Sequence, residues 1–146
     1  MTEFLLDPNI VSEAVKPQPN PLALQRLQTS VGKIAIASVT WHELLYGMRR
    51  LPNSRRKQDL GRYLMDVVAA TMTIIPYEKL AADWFATERS RLASIGKTPS
   101  YSDGQIASLA KSLLRRIAAV NQLVLVTRNI SDFADFDGLL LENWFS

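Results

Sequence analysis

The chain has no cysteine and a single histidine, His42, among its 146 residues. The first absence excludes disulfides, a thiol nucleophile and any zinc site built on thiolates. The second excludes a histidine-rich zinc or non-haem iron centre, and any histidine-dependent catalytic triad has to run through His42 alone. No apolar run approaches the length of a membrane span. The N-terminus also lacks the basic stretch, apolar run and small-residue cleavage site of a signal peptide. The expectation is a soluble, cytoplasmic protein without a membrane partner. There is no internal repeat, low-complexity tract or interdomain linker, so residues 1–146 are expected to form one domain.

Apolar residues make up 47% of the chain and charged residues 21%, ordinary values for a globular protein able to bury a core. Net charge is +3, which permits a nucleic-acid partner without requiring one. The basic residues are unevenly spread: Arg49, Arg50, Arg55, Arg56 and Lys57 fall in the stretch RRLPNSRRK. A solvated helix end and loop is the usual meaning of such a run, and a phosphate-binding patch is the sharper one.

Four short apolar runs read as buried strands: FLL (4–6), IAIAS (34–38), TIIPY (73–77) and LVLVT (123–127). A weaker fifth, LLLENW (139–144), follows them. They are aliphatic on both faces, as parallel strands covered by helices are. Helical periodicity occupies 10–15, 21–29, 40–50, about 54–71, 78–94 and 103–119, the last introduced by TPSYSD. Strands alternating with helices predict an α/β fold around a parallel sheet.

Ligands of such sheets bind at the carboxyl ends of the strands. There the chain places Asp7 with Asn9 after strand one, and Ser38, Thr40 and Glu43 after strand two. Asp103 opens the 103 helix, and Thr127, Asn129 and Asp132 follow strand four. Each acid has an ordinary explanation. Asp7 and Asp103 can cap helices, and Glu43 can be a first-turn acid favoured by the helix dipole. Their joint placement is harder to explain that way, because three carboxylates brought together repel one another unless a cation joins them. Oxygen ligands without His or Cys suit Mg²⁺ or Mn²⁺. His42 reads as a partly exposed helix residue, and Trp41, Trp84 and Trp144 as core or interface.

The blocks LLDPNIVSE, SVTWHELLYGMRR, SDGQIASLA and LVLVTRNISDF, with the terminal ENWF, occur in an order that, together with the chain length, resembles the PIN-domain ribonucleases. Within them the chain resembles the VapC toxins of toxin–antitoxin modules, over almost its whole length. The resemblance implies a PIN-like three-layer α/β/α sandwich with a mostly parallel sheet of four to five strands. It implies Asp7, Glu43 and Asp103 as metal-binding acids, and Asn129 as a fourth catalytic position acting through water or on substrate. Thr127, Asn9 and Asp132 would be supporting residues. The implied activity is Mg²⁺- or Mn²⁺-dependent endonucleolytic cleavage of RNA. The implied partners are RNA, a small VapB-like antitoxin whose tail enters the acidic groove, and a second copy in a homodimer.

The chain departs from that pattern twice. Pro8 stands where a Thr or Ser usually follows the first Asp, which removes a hydroxyl and an N–H. The interval from Asp103 to Asn129 is also longer than usual by about eight residues, roughly two helical turns. The surplus falls in KSLLRRIA (111–118), with Arg115 and Arg116 placed to alter dimer or antitoxin contacts. Two other readings therefore stand beside the nuclease: a PIN-like protein that holds RNA or an antitoxin without cutting, and a receiver-like signalling domain with an acidic Mg²⁺ pocket.

Overall fold

The computed structural model describes residues 1–116 and 122–146, without the side chains of 112–116. In chain order the elements are β1 (Phe4–Leu6), α1 (Pro8–Glu13), α2 (Pro21–Thr29), β2 (Ile34–Ala37) and α3 (Ser38–Arg49). Next come α4 (Arg55–Tyr63), a π-helical turn (Leu64–Val68), α5 (Ala69–Thr71) and β3 (Thr73–Ile75). The chain ends with α6 (Lys79–Ser94), α7 (Tyr101–Arg116), β4 (Val124–Val126), α8 (Ile130–Phe133) and β5 (Leu140–Glu142). The strands form one sheet in the order β3-β2-β1-β4-β5, parallel throughout.

Strand alternation sorts the aliphatic residues into two cores, one on each face. Leu5, Ala35, Ala37, Ile75 and Leu125 point to the side covered by α6, α7 and the Phe133–Phe136 turn. Leu6, Ile34, Ile36 and Val126 point to the side covered by α1 to α4 and the π turn, with Trp144 closing it. The result is the expected three-layer α/β/α arrangement. Burial of each large aliphatic side chain here contributes roughly 1.5–3 kcal/mol. Among the described residues no helix is long and apolar enough to cross a membrane.

The expected elements are present with shifted ends. The first helix begins at Pro8 and stops at Glu13, the strand expected over 34–38 ends at Ala37, and β3 stops before Pro76, which has no N–H to give the ladder. The helix expected over about 54–71 is interrupted by the π turn, and α8 was not expected at all. The helix expected over 103–119 starts at Tyr101 and is described as far as Arg116. Of the 111–118 extension, residues 117 and 118 and the side chains from 112 on, Arg115 and Arg116 among them, lie outside the described residues. Beyond it β4 is in register with β1, Phe4 opposite Val124 and Leu6 opposite Val126. The strand order also removes the receiver-like reading, since the flavodoxin-like sheet to which receivers belong runs 2-1-3-4-5.

Candidate active site at the carboxyl edge

The strand order reverses direction between β1 and β4, and an open α/β sheet leaves a crevice where it does so. Asp7 and Thr127 are the first residues beyond those two strands. The pairing of Leu6 with Val126 sets them side by side, with the Asp7 N–H donating to the Val126 carbonyl at 2.9 Å. Thr127 Oγ1 then donates to Asp7 Oδ2 at 2.9 Å and accepts from the Asn129 N–H at 3.0 Å. Both side chains are buried, Thr127 completely.

This geometry disposes of the ordinary explanations of the acids. Asp7 occupies the N-cap position of α1, yet its side chain makes no capping bond and turns to Thr127 instead. Pro8 stands at the first helical position, where its missing N–H costs nothing and its fixed φ suits the helix. Asp103 is not the cap of α7 either: Ser100 Oγ accepts from the Asp103 N–H at 3.1 Å. Glu43 lies in the second turn of α3, beyond the strongest reach of the helix dipole, and is exposed.

Burial, and then the negative charges of Asp103, Glu43 and Asp132, push the Asp7 carboxyl up to about 6, and the Thr127 hydroxyl only partly offsets them. Asp103 is raised by its own burial and by Asp132, against the opposing Ser100 bond. The ion pairs among the described residues include none of these four acids. Asp132 thus belongs to the acidic group more directly than the motif suggested. Its carrier α8 is held at the site by the Asp132 N–H donating to the Asn129 carbonyl at 3.0 Å and by buried Phe133. Asp103 and Asp132 share a cleft of about 400 Å³ between the loop that precedes α7 and the turn that follows α8.

Asp103 is positioned by its neighbour. Gly104 lies against the Phe85 ring of α6 so closely that a Cβ there would overlap the ring. A glycine inside a helix costs about 1 kcal/mol relative to alanine, and here it lets α7 approach α6. The remaining candidates are more peripheral. Asn9 is exposed in the first turn of α1, and no described hydrogen bond ties its side chain to the acids. Asn129 is exposed and anchored through its backbone. Arg49 and Arg50 end α3, while Arg55, Arg56 and Lys57 form the first turn of α4. There Arg55 and Arg56 face α1 across a hollow of about 590 Å³, and none of the five lines the acidic cleft. His42 is exposed and stacks on Tyr46 at 6.2 Å, and Trp144 is core.

The donor set fits a hard divalent cation, being oxygen throughout. As the side chains lie, no group of three or more His, Cys, Asp or Glu among the described residues is close enough to hold a metal ion. Mg²⁺ does not require three, since it usually keeps several waters and takes one or two carboxylates.

An all-parallel 3-2-1-4-5 sheet between two helical layers, with clustered acids at its switch point, agrees with the three-layer sandwich that the sequence resemblance implies. No family-wide sequence profile matches the chain. The "Ribonuclease VapC2" of Haemophilus influenzae is 28% identical over 144 residues, covering 99% of both chains. The "Toxin FitB" of Neisseria gonorrhoeae is 28% identical over 144 residues, covering 97% of this chain and 98% of that one. The crystal structure of FitAcB from Neisseria gonorrhoeae superposes with a TM-score of 0.84 at 28% identity, over 97% of this chain and 98% of that one. Over nearly its whole length the chain is similar to VapC and FitB proteins in sequence, and to FitB in fold.

Proposed function

We propose that the chain is an Mg²⁺- or Mn²⁺-dependent endoribonuclease acting in the cytoplasm as the toxin of a VapBC-type pair. One observation carries the chemistry: Asp7, buried at the switch point, is surrounded by three further acids with no described cation to balance them. A polyanionic substrate cannot approach four carboxylates unless positive charge intervenes. Asp7 and Asp103 would hold the cation, with Glu43 and Asp132 reaching it through water. When bound, it supplies the charge that neutralises acids and phosphodiester together and makes a water acidic enough to attack. Thr127 fixes one oxygen of Asp7 and so aims the other. One of the carboxylates beside the cation would take the proton from the attacking water. The names of the relatives, a ribonuclease and a toxin, support the same reading. A VapB-like antitoxin and a homodimeric assembly are part of the proposal. An antitoxin arginine entering the acidic groove would lock it by satisfying several carboxylates at once.

The test is cleavage of RNA by purified protein with Mg²⁺ or Mn²⁺, beside Asp7→Asn, Asp103→Asn and an EDTA control. Cleavage that needs the cation and disappears in both variants is the expected result. Metal-independent cleavage that survives in both variants rejects the assignment.

A further inference from the structure

One cluster at the same sheet edge has no part in the acidic site. The β3 residue level with Asp7 is Ile75, two strands away, and Tyr77 follows it after Pro76 at the same carboxyl edge. Tyr101 opens α7, two residues before Asp103, and is 55% exposed. Its ring is nevertheless held from several sides. Tyr77 lies at 6.4 Å in an edge-on arrangement and the Phe85 ring at 5.6 Å. The Arg89 guanidinium is 5.8 Å from its centroid. Phe85 is itself buried against Gly104, so the support is rigid. The outcome is a flat π surface that is half open and already ordered, with a cation beside it.

A ring fixed in this way loses little entropy on contact, which is the condition for efficient stacking. A phosphate is repelled by the acids nearby, whereas the face of a base is uncharged and stacks on aromatic or guanidinium planes. In a duplex the base faces are covered by their neighbours, so only an unpaired base presents one. We infer that Tyr101, backed by Tyr77 and flanked by Arg89, is a stacking platform for an unpaired base of an RNA strand whose backbone passes the acidic edge. The inference rests on the nuclease reading and adds a residue-level contact to it, the ring that holds one base of the RNA.

The experiment is fluorescence anisotropy with a short fluorescein-labelled single-stranded RNA at fixed salt. It uses the full chain carrying Asp7→Asn so that the RNA stays intact. Adding Tyr101→Ala should weaken binding about tenfold, while Tyr101→Phe, which keeps the ring, should stay within about twofold. A fully paired RNA of the same length should not distinguish the three proteins. Equal affinity in all three with the single strand overturns the platform, as does a loss in Tyr101→Phe as large as in Tyr101→Ala. Unchanged RNA affinity with a shifted elution volume for Tyr101→Ala assigns the rings to contact between protein chains and overturns it too. If the Asp7→Asn protein in Mg²⁺ fails to bind RNA and the unsubstituted chain in Mg²⁺ neither binds nor cuts it, the nuclease reading falls and the platform with it. RNA bound equally by all variants leaves the nuclease reading standing and rejects only the platform.

Discussion

Asp7 and Glu88 are both buried carboxylates, 8% and 7% exposed, and the fold treats them in opposite ways. Glu88, on α6, accepts from Arg91 Nε at 3.1 Å and from the Asp137 N–H at 2.8 Å. Arg91 continues to the Asp135 carbonyl at 2.8 Å, and Lys97 pairs with the Asp135 carboxylate at 2.6 Å. The Arg91 bond, outweighing burial, holds the Glu88 carboxyl below its usual range. Glu13 is a second case of this kind. Burial raises it, but Lys16 and the Asn20 N–H more than compensate and leave it lowered. Asp7 has one hydroxyl donor and three negative neighbours, and it rises to about 6. A carboxylate kept for structure is surrounded by donors and stays charged. One kept for chemistry is left short of positive charge, so that a ligand can supply it.

The largest effect expected from this contrast is on Asp7. Asp7→Asn should lower RNA cleavage by at least about 100-fold, the low end for loss of a group that handles the proton. The same change should stabilise the divalent-free protein. Folded Asp7 holds its proton up to about pH 6, whereas the unfolded chain releases it near 3.8. The folded state therefore binds more protons between about pH 4 and 6, and stability falls as pH rises through that window, by about 3 kcal/mol at most. Glu88 works in the other direction: its contribution is present above the ordinary glutamate value of 4.5 and is lost as pH falls through its lower folded value. Urea unfolding of wild type and Asp7→Asn at pH 4 and pH 7 in EDTA should show curves that separate at pH 7 and converge at pH 4. Greater stability of the wild type at pH 7 would contradict the contrast.

The next effect is structural. Glu88→Ala strands the Asp137 N–H and releases Arg91, and should cost about 1–3 kcal/mol in urea unfolding. The turn it secures follows α8, which carries Asp132, so cleavage should fall less than in Asp7→Asn and recover in part in Glu88→Gln, which keeps an acceptor. A Glu88→Ala protein as stable as wild type would show that buried Phe133 and Phe136 hold the turn without the network.

The sequence made the chemistry of the edge legible, because apolar runs that end on Asp7, on Ser38 and on Thr127 show where strands meet polar ligands. The parallel sheet followed from residues that are aliphatic on both faces. What stayed hidden was contact between distant segments. Nothing local marks Thr127 as the donor to Asp7, a pairing 120 residues apart that exists only through the β1–β4 register. Glu88 reads in the sequence as one residue of an amphipathic helix, and its charge partner Arg91 at i+3 hints at the pair but not at Asp137. Gly104 beside a candidate acid was a signal that could have been used, since an interior helix glycine usually marks a close approach. Short α8 and the π turn carry no periodic pattern long enough to read.

The smallest effect concerns Asp132, which the family resemblance implied as a supporting residue. It is exposed, and it acts on Asp7 and Asp103 by charge while its backbone secures the Asn129 turn. Asp132→Asn keeps that backbone bond and removes only the charge. The carboxyls of Asp103 and Asp7 should then ionise at lower pH, and the acid limb of the cleavage profile should move down by a few tenths of a pH unit. Activity at neutral pH should change by no more than about fivefold, since a charge in solvent acts through screening water. A shifted limb with activity retained makes Asp132 a modulator of the two inner acids. A loss as deep as that of Asp7→Asn would place it among the cation's own ligands, and the contrast between inner and outer acids would then need to be drawn between Glu43 and the other three.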